Sequence, residues 1–62
     1  MGEYKLEIFS RMTLRGKRWF FHYQAPNGEI MFQSQPYKRI ENAQMACGTI
    51  RRTLPDCRVV VI

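Results

Sequence analysis

The chain has 62 residues, which allows one domain over 1–62 and only a small core; a chain of this size buries only about 60% of the surface its unfolded form exposes. Hydrophobic residues make up 45% and aromatics 13%, which excludes a disordered tail. Ten Lys and Arg against five Asp and Glu leave a formal charge of +5, which favours an acidic partner such as nucleic acid or an acidic protein face, or serves solubility alone.

The first apolar segment runs from Tyr4 to Phe9. Tyr4, Leu6 and Ile8 alternate with Lys5 and Glu7, a period of two that predicts a strand. Phe9 breaks the alternation and puts an aromatic on the polar side. Ser10 to Gly16 reads as an Arg-rich polar connection, with Gly16 available for positive φ. The second strand is expected over Lys17 to Gln24. Trp19, Phe21 and Tyr23 lie on one face; Arg18, Phe20, His22 and Gln24 lie on the other. Ala25-Pro26-Asn27-Gly28 is a hairpin signal, with Asn-Gly offering the positive-φ pair of a tight turn.

A third strand follows over Glu29 to Ser34, with Ile30 and Phe32 on one face and Met31 and Gln33 on the other. Gln35-Pro36-Tyr37 is expected to end the sheet, because proline cannot donate to a ladder. A helix fits Arg39 to Leu54. Ile40, Ala43, Cys47, Ile50 and Leu54 step by three or four along one stripe, and Arg51 and Arg52 suit the negative end of the dipole. Its start lacks a capping residue, and Pro55 ends it. The tail Arg58-Val59-Val60-Val61-Ile62 is a β-branched run that wants cover on both faces, supplied by the chain's own sheet or by a second copy. The expected fold is α+β: a three-stranded antiparallel meander on one helix, with a short C-terminal strand (βββαβ).

No chemistry-bearing constellation stands out. His22 is the lone histidine, and no Ser, Cys or carboxylate lies at a spacing that marks a partner. The carboxylates form no acid/base pair, and Asn27-Gly28 is a turn rather than a phosphate loop. Cys47 and Cys57 form no CxxC and have no paired histidines, so neither a metal nor any other cofactor is expected. Cys47 reads as a small core residue, and a Cys47–Cys57 disulfide is conceivable but not required. No apolar run approaches the roughly 20 residues that span a bilayer, so no membrane partner is expected. Nothing at Met1-Gly2-Glu3-Tyr4 reads as a leader, and a cytoplasmic, reduced protein is the default. A non-catalytic binding module is therefore expected.

From Tyr4 to Leu54, about four-fifths of the chain, the pattern resembles the YegP-like family of small uncharacterised bacterial, archaeal and phage proteins. The residues that carry the likeness are Glu7-Ile8-Phe9, Arg18-Trp19, Ala25-Pro26-Asn27-Gly28-Glu29-Ile30, Ser34, Tyr37 and Ala43. The resemblance implies an α+β module that occurs in tandem or as single copies that pair, and it implies no activity. The chain departs from the pattern at Phe20 and His22, usually Arg or Lys, at the helix start, usually Ser, and at Met45-Ala46-Cys47, usually Asn-Gly-Ile. A weaker resemblance is to the arm-type DNA-binding domains of phage integrases, which lay a three-stranded sheet in the major groove.

Two surfaces follow. Arg11, Arg15, Lys17 and Arg18, with Phe20 and His22, are candidates to contact nucleic acid or an acidic protein; the alternative is a solvated basic loop. Phe9, Phe20, His22 and Met31 are candidates for an aromatic platform on the sheet face away from the helix, which serves either unpaired bases or a homodimer. Phe9, Phe20, Met31, Val59 and Val61 are the candidate dimer interface. A small phage-type inhibitor that occludes a host protein is the reading from another class.

Overall fold

The computed structural model describes residues 3–62, so the expectation at Met1-Gly2 lies outside the described residues. Strands β1 (Lys5–Thr13), β2 (Gly16–Gln24) and β3 (Ile30–Gln33) form an antiparallel meander, followed by helix α1 (Ile40–Thr53) and strand β4 (Arg58–Val61). The sheet order is β3-β2-β1-β4, with β4 parallel to β1. The helix carries the chain from the β3 edge to the far edge. The fold is α+β with βββαβ order, as the period-two and period-three-to-four patterns predict.

The first strand is longer than its apolar pattern. Ser10, Arg11, Met12 and Thr13 continue β1 and pair with Trp19, Arg18, Lys17 and Gly16. The stretch read as a polar connection is thus the end of a hairpin, closed by Leu14 and Arg15 alone. A ladder is bound by backbone groups, so its exposed end needs no apolar alternation. Gly16 takes φ +103°, and Thr13 Oγ1 donates to the Gly16 carbonyl at 2.7 Å and accepts from the Arg15 N–H.

The second hairpin also differs in detail. Only Gly28 takes positive φ, at +91°, so Asn27 is not half of a positive-φ pair. Its side chain instead accepts from the Glu29 N–H at 3.0 Å. The register shifts between Tyr23 and Gln24: Phe32 faces Tyr23, but Ile30 rather than Met31 faces Gln24. Pro36 interrupts the edge without ending it. Tyr37 pairs again with Trp19 through two backbone hydrogen bonds of 2.7 and 2.8 Å. Between the two paired stretches the Ser34 hydroxyl accepts from the Phe21 N–H at 2.9 Å, filling the place of a missing carbonyl.

The core lies between one sheet face and the helix. Leu6, Ile8, Phe21, Ala43, Cys47 and Cys57 are buried, with Trp19, Tyr23, Tyr37, Ile40, Ile50 and Val59 packed around them. The face with Trp19, Phe21 and Tyr23 is the helix side, as the alternation predicts. Cys47 is a core residue, and burial pushes its thiol up to about 11; both cysteines are free. The helix begins one residue later and ends one earlier than Arg39–Leu54. Arg39 is its extended N-cap and makes no side-chain cap bond.

The C-terminal strand settles into the chain's own sheet. Val59 aligns with Leu6 and Val61 with Ile8, so both side chains are on the helix side. Val59 belongs to the core periphery, which corrects its assignment to a dimer contact through side chains. Val61 is half-exposed beyond the helix.

Candidate binding face

β1 and β2 alternate strictly, so the residues that do not face the helix form one continuous outer surface. In register across the two strands, it carries Lys5 beside Gln24, Glu7 beside His22, Phe9 beside Phe20, and Arg11 beside Arg18. Among the described residues, no element packs over this side: the single helix covers the other one. Cross-strand neighbours in such a ladder lie about 4.5–5.5 Å apart at Cβ, close enough for every pair to touch.

Phe9 is the centre of the surface. Its ring stacks on Phe20 with centroids 5.7 Å apart and an interplanar angle of 17°. The His22 ring lies 5.1 Å away on a diagonal, tilted by 42°. The Arg11 guanidinium stands 5.4 Å from the Phe9 centroid, within cation–π range. Phe9, Phe20 and His22 are each half-buried by one another rather than by a covering layer.

The polar side of the cluster is ordered too. His22 Nε2 meets Glu7 Oε1 at 2.5 Å, and Lys5 Nζ meets Glu7 Oε2 at 3.2 Å. The hydrogen bond to His22 is the main influence that holds the Glu7 carboxyl below its ordinary range, against a smaller opposing effect of burial. Spacing in the chain did not reveal this partner for His22, because Glu7 is fifteen residues away. The hairpin register does: a turn at Leu14-Arg15 makes 7 and 22 direct neighbours.

The basic residues divide between surfaces. Arg11 and Arg18 lie on the outer face, and Arg15 is in the turn. Lys17 is a correction. It pairs with Met12 on the helix side, and its ammonium lies 4.9 Å from the Trp19 ring centroid, so it does not join the other three. Met31 sits at the β3 register shift, opposite no β2 residue, and is half-exposed. Among the described residues, no three His, Cys, Asp or Glu side chains gather as a metal site. Nor is any helix long and apolar enough to cross a membrane.

This arrangement offers flat aromatic surface, guanidinium donors and one imidazole–carboxylate pair. No match appears among curated proteins, and none among solved structures. Residues 15–60, from the tip of the first hairpin to the last strand, match the model of a family described as "Domain of unknown function (DUF1508)", and the chain belongs to that family.

Proposed function

We propose that the protein is a non-catalytic, YegP-like binding module that works as a homodimer and contacts single-stranded nucleic acid through its outer sheet face. The observation that carries this is the Phe9–Phe20–His22 cluster with Arg11 and Arg18 on the uncovered face. Open aromatic rings stack on unpaired bases, each contact worth about 1–3 kcal/mol, while guanidinium groups follow the backbone. A base inside a duplex hides both its faces, so this surface favours single strands over the duplex that an arm-type domain reads.

The dimer contact is best assigned to the free edge of β4. The Arg58 and Ile62 N–H groups donate to the Tyr4 and Ile8 carbonyls, so those of Val59 and Val61 between them point away from the sheet. That edge has no proline and no charged side chain from Val59 to Ile62, the usual guards against pairing. A second copy joined there, antiparallel about a two-fold axis, extends the sheet and leaves the outer face open.

Fluorescence anisotropy with a labelled oligo-dT, a labelled duplex and labelled poly-glutamate tests the reading. The expected result is preference for oligo-dT, binding that weakens as salt rises, and a loss of about five-fold or more for Phe20→Ala, the lower end of the stacking contribution. Absence of oligo-dT binding at low salt overturns it. Equal binding of poly-glutamate points to an acidic protein as partner.

A further inference from the structure

A groove of about 450 Å³ runs along the outer face between the first hairpin tip and the loop after β3, lined by Thr13, Leu14, Arg15, Arg18, Phe20 and Pro36. Its volume is within the roughly 300–1,000 Å³ of small-ligand sites. Its walls come from segments distant in the chain, brought together because Pro36 lies beside β2 where Tyr37 re-pairs with Trp19. Phe20 belongs to both the groove and the aromatic cluster, so the two are continuous.

The lining has a definite chemistry. Phe20, Leu14 and Pro36 supply apolar surface for a flat ring. Arg15 and Arg18 supply two guanidinium groups, and the lining holds no acid. Among the described residues, no carboxylate pairs with either arginine. Arg18 uses one nitrogen on the Lys17 carbonyl, at 3.0 Å, which steadies the side chain and leaves most of its five N–H donors for a ligand. The complementary ligand is therefore a ring that carries an anionic phosphate at short reach.

We propose that this groove is a nucleotide subsite: it takes one unpaired nucleotide, the base against Phe20 and Pro36 and the phosphate between Arg15 and Arg18. The proposal rests on the nucleic-acid reading above and deepens it, turning a general platform into one with a fixed position for a single nucleotide. The groove anchors one base, and Phe9 with His22 receives its neighbour.

Two-dimensional amide NMR of the full chain tests it, with adenosine 5′-monophosphate, adenosine, inorganic phosphate, phenyl phosphate and oligo-dT as separate probes. Adenosine monophosphate should move the signals of Thr13, Arg15, Arg18 and Phe20. Adenosine and phosphate alone should each bind at least ten-fold more weakly. Leu14→Glu places a carboxylate in the lining at a fully exposed position, and should abolish the nucleotide shifts while the rest of the spectrum is unchanged. If oligo-dT moves the signals around Phe9 and His22 but the mononucleotide leaves the groove unmoved, the subsite is overturned and the broader reading stands. If neither binds, both fall. If phenyl phosphate binds as well as the nucleotide, the groove selects a phosphorylated ring of another kind and the nucleotide assignment is overturned.

Discussion

Ser34 shows how one side chain can stand in for backbone. Its hydroxyl accepts from the Phe21 N–H and donates to the Gln35 carbonyl at 2.9 Å, where β3 has stopped and Tyr37 has not yet resumed pairing. Phe21 is in the core, so an unmet N–H there is costly. Ser34→Ala should destabilise the fold by about 1–2 kcal/mol, read as a lower urea midpoint with unchanged slope. Glu7 makes a second prediction at this scale. Its carboxyl is held below the ordinary range by His22, so the charged form is favoured by folding. The stability it contributes is present above the unfolded value near 4.5 and is lost as pH falls through the lower folded value. Urea midpoints from pH 7 down to pH 2 should fall more steeply below about pH 4.5 for the native chain than for Glu7→Gln. A parallel pair of curves would show that the His22 contact contributes nothing.

The elements differ in how openly their residues declare them. The helix stripe of Ile40, Ala43, Cys47 and Ile50 is legible because only a 3.6-residue period places those side chains on one face. Its interior still carries a weakness. Gly48 is exposed in the middle of α1, and a methyl group built there meets nothing within 4 Å. Gly48→Ala should stabilise the protein by about 0.5–1 kcal/mol, visible as a higher urea midpoint. The first hairpin is legible only in part. Tyr4 to Phe9 announces a strand, but Ser10 to Thr13 continue it on backbone hydrogen bonds that leave no apolar trace. The Asn27-Gly28 turn is recognisable as a turn, while its loop geometry depends on the shifted register of β3.

At the scale of the molecule, the open question of the tail divides into two. Val59 turns inward against Leu6, yet β4 is an edge strand and, among the described residues, no strand pairs with its far side. Adding a charge to that edge should block pairing with a second copy. Val61, half-exposed, is the position to change. Light scattering should report about twice the 7.4 kDa chain mass for the native protein and a single chain for Val61→Lys. A native monomer at high concentration would remove the dimer.

The residues alone determined the element order, the face of β2 that meets the helix, the core position of Cys47 and the placement of Phe9 and Phe20 on the side away from the helix. Those follow from periods of 2 and 3.6, which are local properties of the chain. Tertiary structure decided where the basic residues go. Arg11 and Arg18 share a face only because the turn falls at Leu14-Arg15, and Lys17 leaves them for the same reason. It also decided that Glu7 meets His22, that Pro36 closes a groove over Phe20, and that the valine strand lies parallel to β1. Register and edge choice depend on pairings between distant segments, and a one-residue slip would reverse every face.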